Sequence, residues 1–342
     1  MHPGDHAVTF GATILDAEGL RLTRDEAALF READPFGFIL FARNIDTPDQ
    51  IRALCTEMRA AVGRNAPILI DQEGGRVQRL RAPHWREYLP PLDQVAMTGA
   101  AMERGIYLRY RLIAEELRDA GIDVDCAPSA DLATPGTHPF LRNRCFSDDP
   151  DTVIRAARAA AEGLADGGVL PVVKHMPGHG RATLDSHHEL PRVSAPLEEL
   201  EATDFRCFAG LADLPMAMTA HIVFDALDPE APATASPAAI AYIRDRIGFA
   251  GLLLSDDLSM QALSGTLAER AGRAIAAGCD IALHCNGKME EMEGVVAAAG
   301  TLSGLAKTRA EAALAGRRAP SAIDSSALAA ELGALLETSA HV

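Results

Sequence analysis

The chain has no excess of basic charge, no long apolar run and no cysteine arrangement that would staple a secreted fold. Its 342 residues carry 32 Lys and Arg against 48 Asp and Glu, a formal net charge of −16. Such a surface repels phosphate backbones, so nucleic acid is not an expected partner. No stretch approaches the roughly 20 apolar residues of a membrane span, and none is expected to cross one. The opening MHPGDHAVTFGATILD lacks a basic region followed by an apolar core, so no signal peptide is expected. The six cysteines (Cys55, Cys126, Cys145, Cys207, Cys279 and Cys285) form no CxxC pair and no framework spacing. Cys126 and Cys279 sit beside apolar runs and read as small core residues in a reducing compartment. A cytoplasmic protein is the expectation. Neither a GxGxxG pattern nor a GK[ST] is present, which excludes the common dinucleotide and P-loop sites.

What the chain does have is alternation. Short apolar runs occur at 7–15, 36–42, 66–71, 122–128, 170–175, 215–221, 251–256 and 280–285. Several are apolar on both faces, as strands of a parallel sheet covered by helices must be. Helical patterns lie between them, at 23–34, 95–120, 149–166, 197–211, 267–277 and 289–299. Two more have explicit starts. Thr47, Pro48 and Gln50 spell an N-cap, a first-turn proline and a capping box, and Ser236–Pro237 repeats the opening with Gly248 as a stop. Eight strands alternating with eight helices predict a (β/α)8 TIM-type barrel, with an open doubly wound sheet as the competitor. The Ala-rich segment from about 303 onward predicts a C-terminal helical extension. No low-complexity linker divides the chain, and residues 1–342 read as a single domain.

The chemically unusual residues fall at one end of successive strands. DQEGGRVQR (71–79) follows the third run, RNRCFSDDP (142–150) lies beyond the fourth and KHMPGHGRATLDSHHELP (174–191) follows the fifth. AHIVFD (220–225), SDDLSM (255–260) and HCNG (284–287) follow the last three. In a barrel these loops converge on the C-terminal face, where active sites are built. Asp256 would stand at that mouth, with Asp257 pointing the other way along the strand; both acids could instead cap the next helix. Lys174 beside His175 at a strand end is costly to bury unpaired and calls for an anionic or hydroxyl-rich partner. In Asp185-Ser186-His187 the carboxylate could orient the imidazole, although such a tripeptide is often only loop. Gly74 and Gly75 permit a turn beside Asp71, Arg76 and Arg79, with Arg76 read as pairing with Glu73. His175, His179, His187 and His188 could ligate zinc, but there is no HExxH and no HxH at the first strand.

Taken together, KHMPGHGRATLDSH, DQEGGRVQR and LLSDDLSM resemble glycoside hydrolase family 3, in its bacterial β-N-acetylglucosaminidase branch. The resemblance covers nearly the whole chain, with three long motifs in the right order. It implies hydrolysis of terminal β-linked N-acetylglucosamine with retained configuration. The substrates it implies are muropeptides, N-acetylglucosamine joined to 1,6-anhydro-N-acetylmuramoyl peptides, in cell-wall recycling. By the same resemblance Asp256 matches the nucleophile, His187 the general acid/base and Asp185 its orienting carboxylate. Asp71, Arg79, Arg144, Lys174 and His175 match sugar-binding positions. Met176 stands where an aromatic is more usual. No metal, organic cofactor or obligate protein partner is implied. The sandwich domain from which many family 3 β-glucosidases draw their acid/base has no room here, which favours the N-acetylglucosaminidase branch over a β-glucosidase.

Overall fold

The computed structural model describes residues 10–182 and 190–338. Eight parallel strands form a closed barrel: β1 (Gly11–Leu15), β2 (Pro35–Leu40), β3 (Ile68–Ile70), β4 (Val124–Asp125), β5 (Leu170–Met176), β6 (Met216–Thr219), β7 (Leu252–Asp257) and β8 (Ile281–Leu283). Each strand pairs with its neighbour in the chain, and β1 closes on β8 through Thr13 opposite Ala282 and Ile14 opposite Leu283. That closure is what distinguishes the barrel from the open sheet. Ile14, Phe38, Leu40, Ile70, Val172, Met216, Leu252 and Leu254 are all fully buried. Each such side chain contributes roughly 1.5–3 kcal/mol by leaving water.

Local chemistry sets most of the helix bounds. The helix Leu267–Ala277 starts at Thr266, whose hydroxyl accepts from the Glu269 amide while Glu269 reaches back, a complete capping box. Met289–Ala299 and Pro150–Asp166 likewise follow the expected periodicity, the latter capped by Asp149. Ser236 caps Pro237–Tyr242 by accepting from the Ala239 amide. Three expectations need correction. The Thr47 hydroxyl accepts from the Gln50 amide at 3.3 Å, but the Gln50 side chain does not return to Thr47. It bonds instead to the Asp46 amide and to the carbonyls of Leu20 and Asn44, tying the loop before the helix. The pattern at 95–120 is broken by a 3-10 turn at Gly99–Ala101 into Pro91–Thr98 and Met102–Asp119. The pattern at 197–211 is interrupted at Thr203.

The tail forms two helices, Gly304–Ala315 and Ser325–Thr338. The second docks on Met102–Asp119, where Glu331 accepts two hydrogen bonds of 2.7 Å from Arg104 and Leu332 is buried. Among the described residues no helix is long and apolar enough to cross a membrane.

Two local departures from regular pairing position the chemistry. The register shifts between Val173 and Met176 in β5 and between Leu254 and Asp257 in β7. Irregularities of this kind re-aim side chains beside functional sites. They bracket Lys174–His175 and Ser255–Asp256. After β3 the chain folds into a small antiparallel hairpin, Gln72–Gly74 with Val77–Gln78.

Candidate active site

A cavity of about 270 Å³ opens at the C-terminal end of the barrel. Asp71, Arg79, Arg144, Lys174, His175 and Asp256, which the sequence singles out, all line it. Such a volume is at the small end of ligand pockets, suited to one sugar ring rather than to an oligosaccharide.

Its floor is an alternating lattice of charges. Lys174 is 2 % exposed, and its Nζ donates to Asp71 Oδ1 and Glu73 Oε1, each at 2.7 Å. Arg79 reaches the other Asp71 oxygen at 3.0 Å. Arg144 grips Glu73 with two hydrogen bonds of 3.0 and 2.8 Å. This is the anionic partnership that a buried lysine requires. Burial alone would raise the Asp71 and Glu73 carboxyls. The cations outweigh it, Lys174 and Arg79 holding Asp71 well below the carboxylate range, and Arg144 and Lys174 bringing Glu73 to about 2. Burial likewise works against the Lys174 charge, but the two acids raise its pKa. The reading of Arg76 as the partner of Glu73 is wrong: Glu73 is buried between Arg144 and Lys174. The Arg76 guanidinium lies over the Phe140 ring, 3.7 Å from its centroid.

A second acid orients the histidines. Asp131, buried just after β4, accepts from His175 Nδ1 at 2.7 Å and from the His179 amide at 2.7 Å. Burial opposes its ionisation, but His175 and His179 keep its carboxyl far below the usual range. His175 Nε2 then faces Arg144 at 3.4 Å. Burial and the neighbouring His175 lower His179 to about 4, so its imidazole is neutral near pH 7. The tight course of this loop needs small residues: a Cβ on Gly180 would sit 1.8 Å from the Leu132 carbonyl oxygen.

Asp256 stands half-buried at the end of β7. Its Oδ1 accepts from the Asp257 amide at 2.8 Å, the one hydrogen bond to this carboxylate among the described residues. Burial would raise its pKa, but His175, His221 and that amide lower it, so Asp256 is an ionised carboxylate with a free oxygen facing the cavity. Asp257 corrects a second expectation. Strict alternation would point it away, yet the shifted register leaves it bordering the same cavity. Its carboxylate is committed elsewhere, accepting from the Ser259 amide at 2.8 Å and from the Ser259 hydroxyl at 2.6 Å. Burial raises its pKa, and the Asp256 charge adds to the rise despite those bonds. Two adjacent acids are thus driven apart, one ionised toward the cavity and one tied into a turn.

Asp185, His187 and His188 lie outside the described residues. Among the described residues no group of three or more His, Cys, Asp or Glu is arranged to hold a metal ion. The arrangement offers fixed donors and acceptors for sugar hydroxyls and one ionised carboxylate for attack. Sequence reasoning missed Asp131 and the role of Glu73 as the central acid, and it placed AHIVFD at the mouth without assigning a role to His221, whose Nε2 donates to the Asp257 carbonyl at 2.9 Å. Asp131, like His221, follows a barrel strand, and that position would have flagged it too.

Comparison with known proteins agrees with this geometry. The family model for the glycosyl hydrolase family 3 N-terminal domain matches residues 13–316. A β-hexosaminidase of Alkalilimnicola ehrlichii is 40% identical over 285 residues, covering 81% of each chain. One from Pseudomonas aeruginosa is 36% identical over 279 residues, covering 81% of this chain and 82% of that one. The crystal structure of NagZ from Neisseria gonorrhoeae in complex with N-trifluoroacetyl-D-glucosamine superposes with a TM-score of 0.82. It is 30% identical and covers 98% of both chains. By its barrel, its site and the span of that match, this chain belongs to glycoside hydrolase family 3.

Proposed function

We propose that the protein is a retaining β-N-acetylglucosaminidase that removes terminal β-linked N-acetylglucosamine from peptidoglycan fragments. Its substrates are N-acetylglucosaminyl-1,6-anhydro-N-acetylmuramoyl peptides, met in the cytoplasm during cell-wall recycling. The observation that carries the reading is the ionised Asp256 carboxylate facing a sugar-sized cavity floored by the Asp71–Lys174–Glu73–Arg144 lattice. The names of the family 3 relatives support the sugar specificity.

In this mechanism Asp71, Arg79, Arg144, Lys174 and His175 hold the sugar hydroxyls, so the ring is fixed before reaction. Asp256 attacks the anomeric carbon while the bond to the leaving oxygen breaks and His187 gives that oxygen a proton. Asp185 orients His187 and stabilises its charged form. His187 then takes a proton from water as it displaces Asp256, restoring the starting configuration. The scheme is the two-carboxylate retaining one with a histidine in place of the second carboxylate.

A panel of nitrophenyl sugars, run with and without a chelator, tests it. Turnover of the β-N-acetylglucosaminide, unchanged by chelator, is expected to exceed that of the β-glucoside. A preference for the glucoside, or loss of activity with chelator, would overturn the assignment.

A further inference from the structure

With Glu73 assigned to Arg144 and Lys174, no acid among the described residues pairs with Arg76. Among the described residues its guanidinium makes no ion pair and no hydrogen bond, only the stacking on Phe140. Arg79, Arg144 and Lys174, the other cations lining the cavity, are all bonded to Asp71 or Glu73. Arg76 is exposed at the rim, Phe140 is half-buried, and Arg144, Lys174 and His175 below them are buried.

The position is built rather than incidental. Arg76 is at the tip of the Gln72–Gly74/Val77–Gln78 hairpin, and that tip is pinned. The Gly75 amide donates to the Tyr88 carbonyl at 2.8 Å, and Arg81 donates to the Gly75 carbonyl at 2.8 Å. Gly74 has φ +95° and lies so close to Arg109 that an added Cβ would be 1.8 Å from Nη2. Stacking on a ring fixes the guanidinium plane and leaves its edge N–H groups to other acceptors. A chain of net charge −16 repels anionic ligands at long range, so an unpaired arginine at a cavity mouth offsets that field where a ligand enters.

We propose that Arg76 and Phe140 form the aglycone subsite, where the Arg76 fork recognises a carboxylate carried by the leaving group. This rests on the glycosidase reading above. A sugar seated on the floor against Asp256 extends its glycosidic substituent toward the exposed rim of the cavity, which Arg76 lines. Phe140 holds that fork in place through the stacking contact. The selectivity is therefore for acidic aglycones over neutral ones of the same shape.

The test uses two substrates that share terminal β-N-acetylglucosamine and differ only in the aglycone, a free carboxylic acid or its primary amide. The unmodified enzyme is expected to favour the acid in kcat/KM by about tenfold, the size of one charge-assisted hydrogen bond at a wet rim, mostly through KM. Raising the salt should shrink that ratio. In Arg76→Gln the ratio should fall to about one, and Arg76→Lys should keep a preference of a few-fold. Because the ratio is read within each variant, a general loss of stability cannot produce it. A ratio near one in the unmodified enzyme, or an undiminished ratio in Arg76→Gln, overturns the subsite. If the nitrophenyl N-acetylglucosaminide is turned over normally in those cases, the reaction stands and only the subsite fails. If the unmodified enzyme cleaves none of the three, the reaction itself is wrong and the subsite falls with it.

Discussion

Replacing Glu73 by Gln removes one negative charge from the centre of the buried lattice and leaves its shape almost unchanged. The carboxyl is 1 % exposed and accepts from both Arg144 and Lys174. Its pKa is lowered from 4.5 to about 2, with burial opposing and Arg144 and Lys174 prevailing. A pKa lower in the folded state contributes stability above the unfolded value, and this is lost as pH falls through the folded one. At 1.36 kcal/mol per unit, that shift is worth about 3 kcal/mol at pH 7 and less than half of that at pH 3. The figure agrees with the roughly 3–5 kcal/mol cost of breaking a buried ion pair by removing one partner. Guanidinium denaturation of both proteins at pH 7 and pH 3 should therefore show a gap that narrows in acid. The variant should also bind the sugar more weakly, since Arg144 and Lys174 lose their common anchor. Equal stabilities at pH 7, or a gap that does not narrow by pH 3, would refute the view that Glu73 is an ionised clamp.

Three further outcomes are expected. Asp256→Ala should abolish turnover, and mass spectrometry after a 2-fluoro-sugar inactivator should find the label on Asp256; a label on Asp257 would reverse the two acids' roles. His187→Ala should lose hydrolysis by about 10²–10⁴-fold, give a burst of nitrophenol and be rescued by azide with formation of a β-glycosyl azide, while Asp185→Asn shares part of the defect. An azide rescue seen in a His179 variant instead would relocate the proton donor. Gly74→Ala combines a left-handed backbone with a Cβ 1.8 Å from Arg109, so its thermal midpoint should fall sharply. A midpoint equal to the parent's would show that the hairpin can yield.

Much of this protein is legible in one dimension because strand burial and helix caps are local properties. Apolar runs covered on both faces, caps such as Thr47 and Ser236, and first-turn prolines mark the alternation of strands and helices. The rule that barrel loops converge on one face gathers the stretches 71–79, 142–150, 174–191 and 255–260, and the resemblance to family 3 singles out Asp71, Arg79, Arg144, Lys174, His175 and Asp256 within them. The closure of β1 on β8 is not local and needed the assembled sheet. Pairing was also undecidable from spacing, because adjacent side chains compete for the same partner. Glu73 is three residues from Arg76 yet takes Arg144, 71 residues away, and Lys174, since only those cations share its buried floor. The same holds for Asp257, which alternation would send away from the mouth and the shifted register of β7 keeps there. Composition and periodicity determined which elements form and which residues stand at their ends. Only the tertiary structure decided which charges neutralise one another and which, like Arg76, have no ion pair among the described residues, because electrostatic pairing depends on distance in space and on burial.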